Sequence, residues 1–115
     1  MKRFLFLVAL TAFSCGASAY DGNSLYEWSK ANERVADGRS SGSDPVMSGM
    51  YMGFVIGVSN YMDGLGVICL PPGTKNQQAL DVVRNYLQSH PERRTDDSLF
   101  IVHNSMTQSF PCAKK

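Results

Sequence analysis

Few side chains in this chain could do chemistry, and their spacing argues against most of what they could do. The histidines are His90 and His103, and the cysteines are Cys15, Cys69 and Cys112. No HxxxH or CxxC spacing occurs, so the clustered ligands of a zinc site are missing. A free Cys69 or Cys112 beside His103 or His90 would make a thiolate nucleophile and its base, but only if the cysteines stayed unbridged. Asp96 and Asp97 are adjacent, which on a helix sends the two carboxylates in different directions. They suit capping and dipole compensation better than paired acid and base work. Gly53-Phe54-Val55-Ile56-Gly57 sits inside a helical pattern and is no phosphate loop. The sequence therefore predicts no catalytic residue, no metal and no cofactor. Binding, not enzyme turnover, is the activity it points to.

The elements around these residues begin with a leader. Lys2-Arg3 precede the apolar run Phe4 to Phe13, and Ala17-Ser18-Ala19 offers small residues to a signal peptidase. Residues 1–19 are predicted to be a signal peptide and 20–115 the mature domain. Cys15 leaves with the leader, and Ala12-Phe13-Ser14 before it is a poor match to a lipoprotein processing site. Two cysteines then remain in an exported domain, which predicts a Cys69–Cys112 disulfide. Nine Lys and Arg against ten Asp and Glu remain as well, with no basic cluster of the kind nucleic acid requires.

Four helices are expected. Asn23 or Ser24 caps the first, with Leu25, Trp28, Ala31 and Val35 on its inner face. Ala36 to Asp44 is a polar Gly/Ser-rich connection. Asp44-Pro45 starts the second helix, which runs to about Asp63 and stops at Gly64. Between Val46 and Met62 it carries no charge, and Gly49, Gly53 and Gly57 recur every fourth residue. That stripe predicts a central helix approached closely by another helix backbone. Ser48, Ser59 and Asn60 dilute the run too far for a membrane span. Met47, Met50, Met52 and Met62 fill core gaps, some of them at a homodimer contact.

Leu65 to Pro72 is expected to be extended, with a capping box of Thr74 and Gln77 opening the third helix. Ala79, Val82, Val83, Tyr86 and Leu87 face inward, and Pro91 ends the helix near Ser89. Thr95 or Asp96 caps the fourth helix, with Leu99, Val102, His103, Met106 and Phe110 inside. The fold class is all-α: a small single-domain bundle of four helices with one disulfide. His90-Pro91-Glu92-Arg93-Arg94, between the last two helices, is the most charged place in the mature chain.

With these residues in order, the set Gly53-Phe54-Val55-Ile56-Gly57-Val58, Cys69-Leu70-Pro71-Pro72-Gly73-Thr74, Val82-Val83-x-x-Tyr86-Leu87-x-x-His90-Pro91 and Phe110-Pro111-Cys112 resembles the Tai/Rap family of amidase immunity proteins. The resemblance covers Met47 to Cys112. It implies a small helical periplasmic protein, often a homodimer, that binds a peptidoglycan amidase toxin delivered by type VI secretion and blocks its active-site cleft. Met47 and Met50 stand where many members carry further cysteines. Plugging a cleft needs a protruding segment with anchors and complementary charge. The candidates are His90, Glu92, Arg93 and Arg94. A periplasmic acid-stress chaperone and an orphan envelope-binding domain of the same fold are the competing readings.

Overall fold

The structure, a computed structural model, describes residues 20–113. The leader at residues 1–19, with Cys15, and the terminal Lys114 and Lys115 lie outside the described residues. Helix α1 spans Gly22–Ala36, α2 Asp44–Gly64, α3 Asn76–Ser89 and α4 Ser98–Ser109, with a 3-10 turn at Pro91–Arg93. One isolated antiparallel bridge joins Asp21 to Asp97. The chain is all-α, with Cys69 and Cys112 joined.

Helix α1 starts earlier than expected. Asp21 is the cap, its Oδ1 accepting from the Ser24 backbone N–H at 2.9 Å. Leu25, Trp28 and Ala31 are buried as the spacing predicts, but Val35 lies on the last turn beyond the core and is exposed. Asp44 opens α2 as expected, yet its carboxylate does not cap. Arg34 Nε and Nη2 donate to its two oxygens at 2.8 and 2.7 Å, closing the base of the 37–43 loop. At the other end Gly66 (φ 71°) is the left-handed residue, not Gly64. The N–H of Val67 reaches the Met62 carbonyl at 2.9 Å and that of Gly66 the Asp63 carbonyl at 3.0 Å, the two bonds of a Schellman stop.

The inner face of α2 is Ser48, Tyr51, Val55, Ser59 and Met62. Tyr51 is fully buried, and its hydroxyl donates to the Leu80 carbonyl at 2.5 Å, fixing α2 against α3. The glycine stripe lies on the outer face: a Cβ at Gly49, Gly53 or Gly57 would meet nothing within 4 Å. The expected close approach is therefore not made within the chain. It occurs at Gly22, where a Cβ would lie 2.9 Å from Arg94 Cα and its carbonyl oxygen.

Turn chemistry shifts α3 by one residue. Thr74 Oγ1 donates to the Pro71 carbonyl, so the cap falls at Lys75, whose N–H donates to Gln78 Oε1 at 2.7 Å, half of a capping box. Leu80 joins Ala79, Val83 and Leu87 in the core, while Val82 and Tyr86 are only half-buried. The segment after α2 makes turns, with Ile68 buried and no strand. Asp97, not Thr95 or Asp96, caps α4 by accepting from the Leu99 N–H. The inner face of α4 is Ser98, Ile101, Val102, Ser105 and Met106, so Leu99 and His103 point out and Phe110 is half-buried. Ser105 can be buried because its hydroxyl donates back to the Ile101 carbonyl at 2.8 Å.

Polar stitches hold the first three helices. Asn32 Nδ2 donates to Ser48 Oγ at 2.9 Å, and Arg84 Nη2 donates to Asn32 Oδ1 at 2.9 Å. Arg84 also pairs with Asp81 at 3.1 Å and Glu33 at 3.3 Å. The disulfide, with the Cys69 N–H on the Phe110 carbonyl at 3.0 Å, ties the end of α4 to the segment before α3.

Two predictions follow from these closures. Closing a loop with a sequence separation of 43 restricts the unfolded chain, so replacing both cysteines by serine lowers unfolding free energy in a urea titration by up to about 4 kcal/mol. The Asp44 carboxyl is held down to about 2, against an ordinary 3.8, by hydrogen bonds from Arg34. Its contribution is complete above pH 3.8 and is lost as the pH falls towards 2. Asp44→Asn therefore lowers the midpoint at neutral pH and flattens that part of the acid limb.

Candidate binding site: the turn between α3 and α4

The turn is built by the residues that end α3. Pro91 cannot continue a helix, and the His90 N–H makes the last helical bond, to the Tyr86 carbonyl at 2.9 Å. The chain then tightens: the Arg93 N–H bonds the His90 carbonyl, Arg94 the Pro91 carbonyl and Asp96 the Arg93 carbonyl. The His90 ring packs on Tyr86 with centroids 4.5 Å apart, and its Nδ1 lies 3.2 Å from Glu92 Oε1. The Glu92 carboxyl is held below its ordinary value, first by its own backbone N–H and then by His90. Arg93 Nε lies 2.8 Å from Asp96 Oδ2.

The four residues singled out from the sequence do not all face the same way. The side chains of His90 and Arg93 are each 43% exposed and that of Glu92 64% exposed, presenting a mixed-charge tip. Arg94 turns inward. Its guanidinium lies 3.7 Å from the Tyr26 ring centroid and its Nε donates to the Leu87 carbonyl at 2.8 Å.

The start of α1 grips the far side of the turn. Gly22 and Asn23 donate their N–H groups to the Asp96 and Arg94 carbonyls, each at 2.8 Å, and Ser98 donates to the Tyr20 carbonyl at 2.8 Å. Tyr20 is packed edge-on against Trp28 at 4.7 Å. The turn is therefore held at both feet and open at its tip.

Sequence reasoning missed the apolar flank. Leu99 and Phe100, 54% and 49% exposed, line a shallow depression of about 340 Å³ with Asp97 and His103. The signal was present in the Asp97-Ser98 pair: capping at Asp97 rotates Leu99 outward. On the other side of the turn, a cleft of about 250 Å³ between α3 and α4 is lined by Asn85, Ser89, His90 and Gln108 among others. Neither sulfur offers a thiolate, since Cys69 and Cys112 are bonded to each other. Among the described residues no three His, Cys, Asp or Glu side chains gather as a metal would need, and no helix is long and apolar enough to cross a membrane.

A family model for Rap1a immunity proteins matches residues 21–112. The chain belongs to the Rap1a immunity protein family. The match opens on Asp21, the α1 cap, and closes on Cys112, so it takes in all four helices, the turn and the disulfide. No curated protein and no solved structure matches the chain. As a Rap1a immunity protein it is directed against a secreted effector, and its functional surface is one that a toxin meets.

Proposed function

We propose that this Rap1a immunity protein works in the periplasm, where it binds a peptidoglycan amidase effector of type VI secretion and closes its active-site cleft with the turn between α3 and α4. The observation that carries this reading is a mixed-charge tip, Glu92 and Arg93 with His90, standing on a turn fixed at both feet. Cleft occlusion needs a segment that keeps its shape and supplies a few anchors, and affinity follows anchor quality more than area. Leu99 and Phe100 beside the tip supply apolar anchors, and Glu92 and Arg93 set orientation and the rate of encounter. Arg94 acts from behind, through its contact with Tyr26. The disulfide supports an oxidising compartment.

The outer face of α2 fits the homodimer. It is uncharged from Val46 to Met62, with Val46, Met52 and Tyr61 exposed around three glycines whose outward side is open. Exposed helical glycines each cost about 1 kcal/mol in propensity. A second α2 crossing the stripe would offset that cost by close packing.

Directing the mature domain to the periplasm together with candidate amidases should suppress lysis for the cognate one. Arg93→Glu combined with Glu92→Lys should then weaken binding tenfold or more in a titration, with the thermal midpoint unchanged. An unchanged affinity removes the turn from the contact. Sedimentation should find a dimer that Gly53→Leu converts to a folded monomer, whereas a wild-type monomer at tens of micromolar, about the limit of a weak specific contact, rejects the pairing.

A further inference from the structure

We infer that Tyr26 and Gly22 are positioning residues that keep the turn between α3 and α4 in its binding shape before any partner arrives. The inference rests on the reading of that turn as the toxin contact. Arg94 is the point where three elements meet. Its Nε bonds the Leu87 carbonyl of α3 at 2.8 Å, its guanidinium lies over the Tyr26 ring of α1 at 3.7 Å, and its carbonyl accepts from Asn23 at 2.8 Å.

The two contacts with α1 depend on different properties of that helix. The ring of Tyr26 offers an aromatic face to a half-buried cation, and such contacts strengthen as the cation is desolvated. Lys30 lies over the same ring at 4.8 Å, so the ring meets two cations. Gly22 supplies absence. Its Cβ would lie 2.9 Å from Arg94 Cα and oxygen, so any larger residue pushes the backbone of the turn outward and strains the bond from Gly22 N–H to the Asp96 carbonyl. Neither residue is at the exposed tip, and neither needs to touch a partner.

The consequence concerns binding cost. A turn that samples many shapes binds through the fraction already competent, and its apparent affinity falls by that fraction. A turn already held in place avoids that loss, and docking approaches a rigid-body encounter. Glu92 and Arg93 then contribute direct contact, whereas Tyr26 and Gly22 contribute through the population of the competent turn.

Amide hydrogen exchange on the whole mature domain tests this without a partner. In Tyr26→Leu, the Asp96 and Ser98 amides, which bond the Arg93 and Tyr20 carbonyls, should exchange at least tenfold faster while amides in the middle of α2 and α3 keep their rates. Tyr26→Phe should restore wild-type exchange, because it keeps the ring. Gly22→Ala should reproduce the Tyr26→Leu pattern. Uniform acceleration in all helices would show a merely structural role and overturn the inference while leaving the turn as contact. With the amidase whose lysis the domain suppresses, Tyr26→Leu should lose tenfold in affinity, mainly through slower association. If affinity holds although Arg93→Glu weakens it, positioning is rejected and the contact stands. If neither variant changes affinity, the contact itself falls, and the inference with it.

Discussion

A helix begins with backbone N–H groups that its own turns cannot satisfy, and where they are spent fixes whatever lies against them. In α1 the Ser24 group goes to Asp21, while those of Gly22 and Asn23 go to the carbonyls of Asp96 and Arg94. The most charged stretch of the domain is thus shaped by a helix more than seventy positions earlier in the chain. This single exchange explains the early start of α1, the need for glycine at Gly22, the inward course of Arg94 and the delay of the α4 cap to Asp97. Each is one part of the same backbone pairing, and the Asp21–Asp97 bridge is its signature.

Much of the fold was legible because it depends on local chemistry. Pro45, Pro91 and Pro111 mark boundaries that the helices respect, and Cys69 and Cys112 pair with each other. What was not legible depends on contacts across the chain. Asp21, not Asn23 or Ser24, caps α1 because the turn takes the N–H groups of Gly22 and Asn23. Ser48, Ser59 and Ser105 read as polar positions, yet they are buried where helices pack closely. Small size places them there; hydrogen bonds from Asn32 to Ser48 and from Ser105 to Ile101 satisfy two of the hydroxyls, whereas Ser59 Oγ has no partner among the described residues. Once Ser105 faces inward, Leu99 and His103 must face outward. The candidate site was half legible: charge density singled out the turn as a candidate, but not the inward course of Arg94 or the exposed Leu99 and Phe100.

The distribution of polar groups fits a protein that works by contact. Buried polarity is spent on joining helices, through Asn32, Arg84 and Tyr51, and the charges at the turn are mostly paired with near neighbours. Such pairs hold side chains in place without removing them from water, which favours a surface ready to be covered. On α2 the same helix shows two uses of small residues. Serines on the inner face let α1 approach, and glycines on the outer face leave a bare groove.

The clasp between Arg34 and Asp44 closes off the 37–43 loop from the rest of the domain. Its base is shut by a two-pronged bond, and Gly38 and Gly42 lie in open space with left-handed backbones. The loop leaves from the opposite end of α1 to the turn, about 20 Å away along a helix of this length. Lengthening such a loop carries only a slowly growing entropic cost. It is a natural point for chain insertion, where a reporter or a second recognition module could be grafted while the turn between α3 and α4 stays as it is.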